Sequence, residues 1–156
     1  MQNIRLKILF PLLVLSALLH ATPATASDSG NTCSLSIAPL IFGNYNPLDT
    51  QDTTTQTTLE IDCKEAVDLT IALSTGQSGS YTARSMVGPH GVQLHYNLYT
   101  HHSAQTIWGD GTGNTTTYSH TNNPHLRKAI FGILPAGQNQ ISAGHYEDTI
   151  VVTVTY

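Results

Sequence analysis

The sequence is short of most residues that chemistry at a protein site needs. Only 10% of its 156 residues are charged, and it holds two cysteines, one tryptophan and six Lys plus Arg. No Walker-type phosphate loop and no G-x-S-x-G elbow occurs, so phosphoryl transfer and serine hydrolysis have no motif to rest on. Glu147 and Asp148 are adjacent in sequence. On an extended chain such neighbours point to opposite sides and make no close acid–base pair. Two isolated cysteines form no zinc signature. Beyond the first twenty residues no apolar run approaches the length of a bilayer span, which speaks against stable membrane insertion. No helical period follows either. The reading is of a non-enzyme that needs no cofactor and no metal.

The N-terminus is organised in three zones. Arg5 and Lys7 make a basic start, Ile8 to Leu19 an apolar run, and Ala24-Thr25-Ala26 a small-x-small cleavage pattern. Together residues 1–26 read as a secretory signal peptide, leaving a domain over 27–156. A membrane anchor is the rival, and a run of about a dozen residues is too short for it. The remaining chain keeps Lys64, Arg84, Arg127 and Lys128 against ten acidic residues, a formal charge of −6. Four scattered basic residues exclude an electrostatic footprint for nucleic acid. Cys33 and Cys63, in an exported chain, read as one disulfide, with a metal pair or a catalytic thiol as unsupported rivals.

Period-two alternation runs through the domain. Apolar residues alternate with polar ones over Cys33 to Ile41, Leu59 to Lys64, Val67 to Ser74, Val92 to Tyr99 and Lys128 to Leu134. Pro39 interrupts the first of these and argues for an edge or a bend. Tyr81 to Met86 reads as a minor strand. Phe42 to Pro47 reads as a turn, Asp49 to Thr58 as a loop entering a strand, and Asn114 to His125 as a long polar loop. The chain closes on Gly144 to Tyr156, where Tyr146, Ile150, Val152, Val154 and Tyr156 share one face and Asp148 is its lone polar member. That makes six strands and a minor one, joined by Gly, Pro, Asn and Ser turns: an all-β, antiparallel, immunoglobulin-like sandwich. Such sandwiches ordinarily hold seven strands, so one position is expected to be missing.

Several stretches form a recognisable series: FGNYNP (Phe42 to Pro47), the Ala72-Leu73-Ser74-Thr75-Gly76 turn, Arg84-Ser85-Met86 and LHYNLYT (Leu94 to Thr100). IWGDGTG (Ile107 to Gly113), FGILPAGQN (Phe131 to Asn139) and the closing GHYEDTIVVTVTY continue it. Together they resemble the spore coat protein U domain family, which includes subunits of archaic, Csu-type chaperone–usher pili. The cysteines fall where the family places its disulfide. The resemblance implies an immunoglobulin-like fold that lacks its last strand and is completed first by a periplasmic chaperone, then at an usher by a neighbouring subunit. Strand addition of this kind, including chaperone–pilin complementation, is a recognised binding mode.

On this reading the acceptor groove is lined by Ile150, Val152, Val154 and Tyr156, with Leu35 and Ile37 opposite. Only Ser27 to Thr32 (SDSGNT) precedes Cys33, with no apolar residue. A donor strand of about ten residues does not fit there, so the subunit is expected to accept a strand without giving one, as at a fibre tip. Localisation follows: export through the periplasm to a cell-surface pilus or coat. The alternatives are a self-complemented coat protein, or an adhesin module of a biofilm-forming fibre that binds through Tyr81, Tyr99 and Trp108, although Trp108 reads first as core packing. The histidines His101, His102 and His120 show no ligand spacing. Gly109 to Asn114 lacks the later acidic ligands of a calcium loop. Asn114-Thr115-Thr116 matches a glycosylation sequon and reads as ordinary loop sequence.

Overall fold

The computed structural model describes residues 30–156 in full and residues 3–8 as backbone. The signal-peptide reading of residues 1–26 therefore falls, except for 3–8, outside the described residues. Two sheets enclose one core, as the alternation predicts. The larger joins β2 (Cys33–Ile37), β4 (Thr53–Leu73), β7 (Asn97–Tyr99), β8 (Ile107–Trp108), β9 (Thr115–Thr116), β10 (Tyr118–Leu134) and β12 (Val152–Thr155). The smaller runs β3 (Ile41–Asn44), β1 (Asn3–Ile8), β11 (Tyr146–Ile150), β5 (Ser85–Val87), β6 (Gln93–His95).

The backbone of the large sheet is the β4–β10 pair. β4 was expected as two strands with a loop before them, and it is one strand of 21 residues. The reason is visible in the phase. Leu59, Ile61, Cys63, Val67, Leu69, Ile71 and Leu73 are all odd, and no Gly, Pro or Asn stands between Cys63 and Val67 to turn the chain. Thr53 to Thr58, expected as a loop, pair with Ala129 to Leu134. Threonine is β-branched and suits the pleated surface even without apolar partners.

The supposed polar loop from Asn114 to His125 is corrected in the same way. From Tyr118 onward it is the first half of β10, opposite Val67 to Ile71 and then Asp62. The ladder breaks register on both sides of Asn123, next to Pro124, which has no N–H to donate.

Cys33 lies opposite Cys63 in the β2–β4 ladder and the two form a disulfide. The closed loop has a sequence separation of 30. Replacing both cysteines by serine is expected to lower stability by about 3–4 kcal/mol in the chain-entropy account. Thermal unfolding of the two proteins tests this, and equal midpoints would show that the ladder alone restrains the unfolded chain.

Three times the chain passes from one sheet to the other without a helix or a long loop, once across Tyr96 alone, between β6 and β7. β2 pairs with β4, and after Pro39 the next strand, β3, belongs to the small sheet. The residues after Ile41, read as a turn from Phe42, thus begin as strand. The closing stretch, expected as one strand, is two. β11 lies in the small sheet, and beyond Val151 β12 pairs with β4 in the large one. Ser74 fixes this crossing: its N–H donates to Val151 O at 3.0 Å, and Val151 N–H donates to Ser74 Oγ at 2.9 Å. Apolar residues of both sheets meet between them, among them Leu59, Ile71, Leu94, Met86, Trp108, Ile130, Tyr146 and Ile150.

Candidate strand-acceptor site

β3 and β11 are the walls of the site. They do not pair with each other, and β1 lies between them. β1 runs parallel to β11, with Ile4, Arg5, Leu6, Lys7 and Ile8 opposite Tyr146, Glu147, Asp148, Thr149 and Ile150. It runs antiparallel to β3, with Asn3 and Ile4 opposite Asn44 and Gly43, then shifts register so that Arg5 meets Ile41. The sandwich thus has a strand position flanked by two elements distant in sequence.

Each wall is held on the core by its sequence. On β3, Phe42 is buried and its ring meets Tyr96 edge-on at 5.8 Å. Just before β3, Leu40 is also buried. The approach is possible because β10 carries Gly132 here: a Cβ on it would come within 2.9 Å of both Leu40 and Phe42. On β11, Tyr146, Asp148 and Ile150 are each fully buried and Glu147 and Thr149 half-buried. β11's other edge pairs with β5, Glu147 opposite Val87.

The polar member of that buried face is fully satisfied. Asp148 Oδ2 accepts the Tyr96 hydroxyl at 2.7 Å, and Oδ1 accepts the N–H groups of Gln77 and Thr149 at 2.8 and 2.7 Å. The turn carrying Gln77 lies so close that a Cβ on Gly76, at φ +68°, would overlap the carboxylate. Beside it Arg84, also fully buried, fastens three elements. Its Nε and Nη2 donate to Ser74 O at 3.0 and 2.7 Å, Nη2 also to Trp108 O at 2.8 Å, and Nη1 to Asn97 Oδ1 at 2.7 Å. Burial lowers the Arg84 pKa, opposed by the surrounding tyrosines and Asp148.

Burial, and then the Asp148 carboxylate, hold the Tyr96 phenol far above the ordinary tyrosine range. Burial also raises Tyr99 and Tyr81. Above about pH 10 the unfolded chain releases tyrosine protons that the folded chain keeps. The unfolded state then binds fewer protons, so stability present below pH 10 is lost as pH rises. Urea midpoints at pH 8 and pH 11 should fall markedly at the higher value. An unchanged midpoint would contradict the buried Tyr96–Asp148 bond.

The residues named from the sequence are only partly gathered here. Ile150 lies on a wall. Leu35 and Ile37 are on β2, opposite Ile61 and Leu59, and Val152 and Val154 are on β12, opposite Leu73 and Ile71. Both strands use the same edge of β4, in the facing sheet. Leu35, Ile37 and Val154 are half-buried against the core, Val152 is buried, and Tyr156 is 57% exposed. Periodicity missed β3 as a wall, because its residues read as a turn. It also missed Arg84 and Tyr96. A signal for the network existed in Asp148, the one polar residue on an apolar face, and in Arg84, one of four basic residues after residue 26.

Trp108 is corrected: it is wholly buried, donates Nε1–H to Ile71 O at 3.0 Å, and offers no surface. Tyr81 is half-buried, with the Arg84 guanidinium 5.2 Å from its ring centre. Tyr99 is half-buried and lines a shallow cleft of about 250 Å³ with Thr82, His95 and Pro135. His101 and His102 are exposed, and His102 meets Phe131 edge-on, while His120 lies opposite Leu69 on β10. No group of three His, Cys, Asp or Glu side chains placed to hold a metal is found among the described residues. No helix among them is long and apolar enough to cross a membrane.

Comparison with known proteins accords with this architecture. No curated protein sequence matches the chain. Among solved structures, it is similar to a chain of the CsuC–CsuE chaperone–tip adhesion subunit pre-assembly complex from archaic chaperone–usher Csu pili of Acinetobacter baumannii. The identity is 20% and the TM-score 0.53, a likeness of fold. The match covers 81% of this chain and 40% of that one, so this chain spans less than half of its length. The profile of the Spore Coat Protein U domain matches residues 18–153. With its immunoglobulin-like sandwich and its cysteine pair, the chain belongs to the Spore Coat Protein U domain family.

Proposed function

We propose that this chain is an exported structural subunit of a surface pilus or coat, completed by a strand inserted between β3 and β11. The observation that carries the proposal is the strand position itself. Two walls distant in sequence, each with a buried apolar face, leave between them a place that is filled by a segment from outside the domain 27–156. Without an occupant, both walls would expose unpaired N–H and C=O groups, which is how an edge recruits another chain. Strand addition satisfies those groups and covers the apolar face together.

On this proposal, β3 and β11, with Ile150, form the walls. Leu35, Ile37, Val152 and Val154 of the facing sheet contribute the floor, with Tyr156 at its margin. Residues 1–26 are a secretory signal and 27–156 the functional domain. The occupants are, in turn, a strand of a periplasmic chaperone and a strand of a neighbouring subunit, the second delivered at an usher. Ser27 to Thr32 has no apolar residue to alternate, which favours a subunit that accepts and does not donate. The family's structural kind fits a role without catalysis. An adhesive role through loops would fall to Tyr81 and Tyr99, since Trp108 is buried.

The test is complementation. Purified 27–156 is titrated with peptides of alternating apolar residues drawn from neighbouring subunits. Binding at a hundredfold excess over the dissociation constant should add about 2.7 kcal/mol of stability. A stable monomer that no such peptide stabilises would overturn the proposal.

A further inference from the structure

The small sheet has a second place for an added strand, the far edge of β6, and a side chain occupies it. In and around β6 the even residues turn toward β5: Gly88 N–H donates to Val92 O at 2.8 Å and Tyr96 N–H to Arg84 O at 3.0 Å. Successive residues of a strand alternate in this respect, so Gln93 and His95 present their N–H and C=O groups on the other side. A cleft of about 510 Å³ lies there, lined by Val92, Ile141 and the loop between Gly137 and Gln140. An edge of this kind recruits strands. Here Gln138 takes it up. Its Oε1 accepts the His95 N–H at 2.8 Å, and its Nε2 donates to His95 O at 2.9 Å. A glutamine amide carries the same donor and acceptor as a peptide group, so one side chain stands in for one residue of a neighbouring strand.

The substitute is itself held in place. Nε2 also donates to Pro135 O at 3.1 Å, and the Gln138 N–H donates to the Tyr45 hydroxyl at 3.0 Å. That hydroxyl donates in turn to Pro135 O at 2.9 Å, and Tyr45 is 2% exposed. Two stretches singled out in the sequence, FGNYNP and FGILPAGQN, thus meet at this point. The strand at the other end of the sheet is engaged by side chains as well. Thr55 Oγ1 donates to Ile41 O on β3, and Thr57 Oγ1 to Ala38 O just before it, both at 2.8 Å.

From this we infer that Gln138 determines where a strand enters: it closes the β6 edge, so that addition to the small sheet is confined to the position between β3 and β11. The inference rests on the strand-acceptor reading and adds its specificity. In strand addition the main-chain bonds supply affinity, and an extended segment makes them with any open edge. Selection then has to come from closing the wrong edge. A cap on the same chain acts at an effective concentration on the order of millimolar, so a free strand at micromolar concentration competes with it at a disadvantage on the order of a thousandfold. Without the cap, one sheet would take two added strands, and a subunit would be joined at the wrong edge.

The exported protein with residues 1–26 removed is titrated with a synthetic peptide of about ten residues, alternating valine and lysine. Exchange of the His95 amide is followed by NMR. The wild-type protein should bind one peptide and keep its His95 amide protected with or without it. Gln138→Ala should bind two. Its His95 amide should exchange at least tenfold faster without peptide, and be protected again with peptide in excess. Tyr45→Phe removes the hydroxyl that holds Gln138 and leaves the amide cap itself, so its His95 amide should exchange at a rate between the other two. No additional peptide on Gln138→Ala relative to the wild type, or a His95 amide as slow in both variants as in the wild type, would overturn the inference. The two failures are separable. Wild-type protein that binds no peptide, beside Gln138→Ala that binds one at His95, would overturn strand acceptance between β3 and β11 and leave the cap standing.

Discussion

Asp148→Ala is expected to destabilise the folded domain by about 3–5 kcal/mol, and Asp148→Asn by clearly less. The carboxylate is fully buried and accepts three hydrogen bonds, from Tyr96, Gln77 and Thr149. Each bond to a charged group contributes about 1.5–3 kcal/mol, though such contributions do not add fully. Alanine leaves three donors, that of Tyr96 buried, without this partner and removes negative charge near Arg84. Breaking a buried charged arrangement from one side typically costs about 3–5 kcal/mol. Asparagine keeps one acceptor oxygen for the two backbone donors, and its amide can donate to the Tyr96 oxygen. Guanidinium unfolding of the three proteins, with the disulfide intact, measures the order. A loss below 1 kcal/mol for alanine would mean that the turn at Gly76 relaxes and water reaches the site.

The second large effect is expected of Val152→Asp. Val152 is 4% exposed and in register with Leu73 on β4. A carboxylate at this place must be buried unpaired or force β12 off the sheet. Either costs several kcal/mol, a large part of a typical domain's whole stability. Neighbouring Thr153 is exposed, so Thr153→Asp should change stability by no more than about 0.5 kcal/mol. The pair separates burial from charge. Secretion and assembly should fail for Val152→Asp and persist for Thr153→Asp. If Val152→Asp folds and assembles, this strand takes no part in the core beneath the acceptor site.

The same two residues show what could be read in the sequence. From Tyr146 to Val154 the even positions face the core throughout, and that alternation is plain in the sequence. The passage from one sheet to the other at Val151 is not. Both sheets face one core, so a strand can change sheets without changing phase. Pro39 marked the corresponding passage between β2 and β3 as a bend, because its missing N–H has a local consequence. Val151 has no such mark, and what pins it, Ser74, lies 77 residues away.

In β4 the phase was unbroken too, but Lys64-Glu65-Ala66 interrupted the apolar pattern and suggested two strands. The first half of β10 was hidden for the opposite reason. Its residues are polar on both faces, and pairing with β4, not burial, makes them extended. The acceptor position was legible only as a deficit in strand count and through family resemblance. Its walls meet across a strand that neither specifies alone. The strand Asn3–Ile8 lies within the segment read as a signal peptide, so no strand is expected there.

The crossings at Pro39 and Val151 also bear on force. Each wall of the acceptor site continues directly into a strand hydrogen-bonded along one edge of β4. A pull along an inserted strand therefore acts lengthwise on its ladders to β3 and β11. Lengthwise loading strains the bonds of a ladder together, whereas loading across its end would part them one by one. The tension then passes through two short covalent crossings into β4, which the Cys33–Cys63 bond and the long β10 ladder secure. On the proposed strand-acceptor role, a subunit built this way would hold a neighbour under tension without a rigid linker, and its weakest direction would be sideways.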